Sequence, residues 1–158
     1  MKNLVNLQTL LDKLKTKVYY NDQVYLKEKM RLEESDTFDH VASVLYDIYN
    51  HDQKKVGNID LRLTMNEDMF YYGHIGYHIL EKYRGHHLAY EACLVLKEIA
   101  KKEFGLNELI ITCNPDNYAS LKTILKFNPE FLGCFDVPLE HDLRKIHEDK
   151  KMIYRIKL

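Results

Sequence analysis

The chain of 158 residues has no tryptophan, three prolines and six glycines, and its three cysteines, Cys93, Cys113 and Cys134, lie far apart. No Cys-x-x-Cys pair occurs, which argues against a disulfide scaffold and reads as reduced, mostly buried thiols in a cytoplasmic protein. Long apolar runs are also missing, so neither a signal peptide nor a spanning helix is expected, and no membrane partner. Charge of one sign is missing too. Lys and Arg number 23 against 24 Asp and Glu, a formal net charge of -1, so no broad field favours nucleic acid. Linkers, repeats and low-complexity tracts are absent, and residues 1–158 read as a single domain able to bury a core.

What is present is ordinary for a globular protein, with 46% hydrophobic and 30% charged residues. Leu4, Leu7, Leu11 and Leu14 mark an amphipathic first helix. Val24 to Leu32 alternates as a half-exposed strand, Val41 to Tyr49 reads as a second, and Val56 to Thr64 as a third. A fourth strand is expected over Tyr71 to Leu80, which is rich in aromatic and β-branched residues. These four read as an antiparallel meander. The second half changes character. A helix runs from near His87 to Phe104-Gly105, then a short apolar fifth strand covers Leu109 to Cys113. Asn114-Pro115-Asp116-Asn117 is a turn and cap signal before a short helix from Tyr118 to about Lys126. Two late strands, Phe131 to Val137 and Met152 to Leu158, complete an α+β plan with a mixed sheet.

The stretch Tyr83-Arg84-Gly85-His86-His87-Leu88-Ala89 joins the fourth strand to the long helix. Helix starts leave backbone N–H groups unpaired and carry partial positive charge, so they bind phosphate. A nucleotide-like cofactor is the natural ligand of such a loop. A metal is not expected. His74 and His78 on a strand would stand about 13 Å apart at about 3.3 Å per residue, too far for one ion. His86 and His87 are adjacent and diverge, and no other ligand set has zinc-like spacing. Of the 12 tyrosines, Tyr46, Tyr49, Tyr71, Tyr72 and Tyr77 fall on the meander and would wall an amine pocket, although strand propensity explains most of them.

Three segments in order resemble the GNAT superfamily of acyl-CoA-dependent N-acyltransferases. Gly76 to Gly85 is similar to the family's strand-to-loop segment, and Arg84-Gly85-His86-His87-Leu88-Ala89 to its pyrophosphate signature. Thr112 to Ser120 resembles its Asn-x-x-Ser/Ala segment. The resemblance as a whole covers roughly residues 40 to 137. One departure is His87, where the family usually has glycine. The sub-branch it most resembles acetylates protein N-termini and small amines.

The resemblance implies a mixed, mostly antiparallel twisted sheet with helices on both faces, splayed between the fourth and fifth strands. It implies acetyl-CoA as co-substrate, no metal, and direct attack of a primary amine on the thioester. The acceptor would be a small molecule or a protein N-terminus. The alternative is a non-catalytic acyl-CoA-binding sensor or scaffold module, and a third reading is an unrelated nucleotide-binding α+β domain. Oligomeric state stays open, with a homodimer frequent among similar proteins. Backbone N–H groups near Ile79 and Leu80 would hold the oxyanion. Residues Arg84, Gly85, His86, His87, Leu88 and Ala89 would take the pyrophosphate, and Asn114, Asn117 and Ser120 the pantetheine. The family's acid is often a tyrosine whose position here is Ile124, so Ser120 becomes the candidate acid, with Tyr118 close in sequence. For the base, His78, His74, Glu67 and Asp60 are all open, directly or through water.

Overall fold

A computed structural model describes residues 17–36 and 41–158. The amphipathic helix expected at Leu4 to Leu14 lies outside the described residues. The larger sheet runs in chain order through β1 (Val18–Tyr20), β2 (Val24–Leu32), β3 (Ser43–Asn50), β4 (Lys55–Arg62) and β5 (Ile75–Ile79). Every pairing in it is antiparallel. Alternation sets its two faces. Val44, Tyr46 and Ile48 of β3 and Ile59 and Leu61 of β4 are buried, while Asp47, Asn58 and Asp60 point the other way.

A short helix, α1 (Met69–Tyr72), precedes β5, and a long one, α2 (Leu88–Lys102), follows it. Helix α2 covers the apolar face of the larger sheet with Ala92, Val95, Leu96 and Ile99. Burial of a Val, Leu or Ile side chain contributes about 1.5–3 kcal/mol. Three such residues outweigh the roughly 1–2 kcal/mol that the left-handed backbone of His87 costs at the helix start.

The smaller sheet has the order β6 (Glu108–Cys113), β8 (Lys150–Lys157), β7 (Glu130–Asp136), again antiparallel. Helices α3 (Tyr118–Leu125) and α4 (Asp142–Lys145) lie in its connections. Strand β6 is buried on both sides. Leu109, Ile111 and Cys113 join the common core, and Ile110 and Thr112 face α1. Strands β5 and β6 belong to different hydrogen-bonded sheets, so the opening expected between the fourth and fifth strands of the sequence reading falls here.

One residue joins the two sheets. The His74 carbonyl accepts from Arg62 of β4 (2.7 Å), whereas its N–H donates to the Ile110 carbonyl of β6 (2.7 Å). Its ring Nδ1 accepts the Ile110 N–H at 2.8 Å. Beyond His74 the strands part. Two glycines set the position of β5. A Cβ on Gly57 would stand 2.1 Å from the His78 carbonyl oxygen, and one on Gly73 2.8 Å from that of Ile110.

The fourth strand is shorter than expected. Tyr71 and Tyr72 are not in it; they form α1 instead. Asn66 Oδ1 accepts the Met69 N–H (2.8 Å), the Gly73 N–H closes onto the Met69 carbonyl (2.7 Å), and Gly73 leaves in a left-handed conformation (φ +77). Local turn chemistry overrides the strand preference of the two tyrosines.

Candidate active site

The gap between β5 and β6 opens a cleft of about 810 Å³. Ile79, Arg84, Gly85, His87, Leu88, Ala89, Asn117 and Ser120 of the expected cofactor set line it, and so does His78. Leu80, His86 and Asn114 do not.

In an antiparallel ladder, opposed residues alternate between exchanging hydrogen bonds and pointing them away. The Leu80 N–H donates to the Val56 carbonyl of β4 (2.8 Å), and the register pairs Ile79 with Gly57 and Tyr77 with Ile59. The N–H groups of Ile79 and Tyr77 therefore face the cleft. This corrects the expectation for Leu80: its amide is committed to β4, and the cleft-facing amides are those of Ile79 and Tyr77.

From β5 a single 3₁₀ turn, Glu81–Tyr83, leads into the loop. Arg84 folds back, and its Nε donates to the Ile79 carbonyl at 2.9 Å. The guanidinium thus braces the loop against the strand end. Gly85 is left-handed (φ +83) with nothing within 4 Å of an added Cβ, so the space beside it is open. His87 is left-handed as well (φ +60), which explains why glycine is usual at this place. No side chain caps α2; the Glu91 N–H to the His87 carbonyl (3.1 Å) opens its hydrogen-bond ladder. The amides of its first turn remain free for an anion.

Helix α3 starts differently. Asn117 Oδ1 accepts the Ser120 N–H at 3.1 Å and caps it. Lys122 of this helix and Lys126 just past its end reach the cleft, and Lys126 Nζ lies against His87 Nδ1 and over the Tyr90 ring. Lys151, buried and paired with Glu148, closes the far wall. Neither lysine is among the candidates read from sequence, although their i, i+4 spacing after Asn117 carries the signal. Asn114 holds a buried side-chain oxygen without a partner, and its carbonyl receives the Asn117 N–H (3.0 Å).

Tyr77 reaches into the same cleft, with its phenol oxygen 2.9 Å from Ser120 Oγ. Burial raises the Tyr77 pKa above the usual phenol value, partly offset by its hydrogen bond to Ser120. Ile124, at the place of the family's tyrosine, is fully buried in the core.

The base candidates separate in space. His78 is exposed and borders the cleft. His74 is buried, with its pKa lowered to about 4 by burial and then by the Arg62 charge, and its ring is committed to Ile110. It is thereby removed as a base. Asp60 pairs with Arg62 at 3.4 Å. Glu67 lines a second cleft of about 700 Å³ with Asp68, Glu140, Phe70 and Tyr71. Tyr72 belongs to the walls of both clefts. The described residues contain no group of three or more His, Cys, Asp or Glu able to hold a metal. None of their helices is long and apolar enough to cross a membrane.

An acyl-CoA has a diphosphate, two amides and a thioester. The uncapped helix start, the open side of Gly85 and the amines of Lys122 and Lys126 suit the diphosphate, and the unpaired edge of β5 suits the amides and the thioester. Comparison with known proteins points the same way. An acetyltransferase of the GNAT family from Bacillus anthracis superposes with a TM-score of 0.65 at 16% identity, over 89% of this chain and 98% of that one. The ribosomal L7/L12 alpha-N-protein acetyltransferase RimL, solved with coenzyme A, gives a TM-score of 0.64 at 13% identity, over 90% and 98%. The microcin C7 self-immunity acetyltransferase MccE, solved with acetyl-CoA and AMP, gives 0.60 at 14% identity, over 87% and 94%. No curated protein sequence matches. At these identities the structures speak for the fold alone, but residues 16–128 match the family model of the acetyltransferase (GNAT) domain. The chain therefore belongs to the GNAT family of acyl-CoA-dependent N-acetyltransferases.

Proposed function

We propose that the protein moves the acetyl group of acetyl-CoA to a primary amine, on a small molecule or a protein N-terminus, by direct attack on the thioester. The observation that carries this reading is the unpaired edge of β5 leading to an uncapped helix start. The pantetheine arm takes the place of a neighbouring strand along β5. Its diphosphate rests on the amides of residues 85–89, with Lys122 and Lys126 beside it. The Ile79 N–H, assisted by that of Tyr77, donates to the carbonyl oxygen as it becomes an oxyanion. Asn117 keeps its capping bond and offers its amide NH₂ to the arm.

In the transfer step the amine nitrogen bonds to the acetyl carbon and the C–S bond breaks. The surplus proton leaves the nitrogen for a base, and the electron pair goes to sulfur. Ser120 donates to that sulfur. The acceptor enters through the second cleft, whose aromatic rings and carboxylates suit an amine and which meets the first at Tyr72. His78 on one side of that meeting point and Glu67 on the other are the proton acceptors. The sister structures that act on ribosomal L7/L12 support a peptide terminus as one acceptor class.

Thermal melting with acetyl-CoA or ATP, followed by thiol release with a panel of amines, tests the proposal. Acetyl-CoA at about 100 times its dissociation constant should add about 2.7 kcal/mol of stability. A shift with ATP and none with acetyl-CoA would sink it. Binding without thiol release for every amine, N-terminal peptides included, would favour the sensor module.

A further inference from the structure

Tyr77 and Ser120 are 43 residues apart, on β5 and α3, and their hydroxyl oxygens meet at 2.9 Å inside the cleft. Tyrosine carries one proton; serine carries one proton and two lone pairs. The half-buried phenol hydrogen-bonds two hydroxyls of α3, Ser120 Oγ at 2.9 Å and Thr123. Thr123, the next hydroxyl on this helix face, donates its own proton to the Ala119 carbonyl (3.2 Å). Asn117 Oδ1 accepts the Ser120 N–H at 3.1 Å and so fixes the place of Ser120. When Tyr77 donates to Ser120 Oγ, the Ser120 proton points away from Tyr77, along the open side of the cleft.

We infer that Tyr77 is a positioning residue that turns the Ser120 hydroxyl toward the coenzyme sulfur, an inference that rests on the acetyl-transfer reading above. As the C–S bond breaks, its electron pair passes to sulfur. Ser120 O–H then donates to the thiolate while accepting from Tyr77 O–H, and each hydrogen bond polarises the other. Both hydroxyls keep their protons, and the thiolate is protonated by water as it departs. The fold thus assembles from two elements what Ile124 cannot supply from one.

The test uses coenzyme A itself, whose thiolate absorbs in the ultraviolet. Its thiol is titrated while bound to the full-length protein, to Tyr77→Phe and to Ser120→Ala, and turnover is measured in parallel. The bound thiol of the wild type should ionise below that of free coenzyme A. Tyr77→Phe and Ser120→Ala should each raise the midpoint by about one pH unit, a tenfold change. Tyr77→Phe should lower kcat about tenfold with KM for acetyl-CoA unchanged. The double variant should be no worse than Ser120→Ala, because the two hydroxyls act as one unit. Phenylalanine keeps the ring packing, and a melting curve checks that the fold survives. A wild-type midpoint in Tyr77→Phe, or fully additive losses in the double variant, overturns the inference and leaves acetyl transfer standing. Coenzyme A that fails to bind the wild type overturns both.

Discussion

At position 87 an imidazole occupies backbone space that glycine enters freely. Its φ of +60 is the left-handed region, costing an L residue about 1–2 kcal/mol. Histidine tolerates it better than a β-branched residue, and its ring gains the neighbourhood of Lys126. His87→Gly relieves the strain but adds chain entropy to the unfolded state, so its net effect should be a gain below about 1 kcal/mol. His87→Val should lose roughly 1–2 kcal/mol. Melting temperatures decide, at about 2–4 °C per kcal/mol for a chain of this size. Equal melting points for the valine and glycine variants would refute the strain account. Position 87 was legible in sequence as a departure from a glycine; the sign of its φ was not, because nothing local requires it.

Strand β5 makes a sharper statement, since its amides divide by parity. Those of His78 and Leu80 pair with β4, and those of Tyr77 and Ile79 face the cleft. Amide hydrogen exchange should therefore alternate along the strand, slow at 78 and 80 and fast at 77 and 79. Coenzyme A should slow exchange at 77 and 79 selectively. Uniform protection without the coenzyme, or no change with it, would contradict the arrangement. Much at this scale was readable beforehand. Helix α2 shows its 3.6-residue period, β6 its apolar run, and Asn117 its cap. Strand β1 leaves no such signal, because Val18–Tyr20 is too short to show a period. Tyr71 and Tyr72 read as strand because aromatic residues favour strands, while the Asn66 cap and the Gly73 turn determine the backbone. The Tyr77–Ser120 contact joins residues 43 apart and leaves no trace in spacing.

Across the whole molecule, two sheets share one apolar core and meet in hydrogen bonds at His74. That ring accepts from Ile110 only while its Nδ1 is unprotonated. Burial, and after it the Arg62 charge, lowers its pKa from 6.5 to about 4. Between those values the unfolded chain binds a proton that the folded chain refuses. The stabilisation is complete above pH 6.5 and is lost as the pH falls toward 4, by roughly 3 kcal/mol for this group. Urea unfolding across that window should show the decline, and His74→Asn, whose amide oxygen can still accept a hydrogen bond, should flatten it. An unchanged slope in the variant would remove His74 as the cause. Such a joint is invisible in the sequence, where His74 reads as a candidate base on a strand.

Gly57 and Gly73 bear on all of this from opposite flanks. Neither lines the cleft, yet a methyl group on Gly57 would press the His78 carbonyl, and one on Gly73 the Ile110 carbonyl. Each bare α-carbon works like a shim of zero thickness, one seating the strand against β4, the other seating its approach against β6. The bore available to a coenzyme arm is thus gauged by two residues that would never meet it, and a single alanine at either one would retune the aperture from behind.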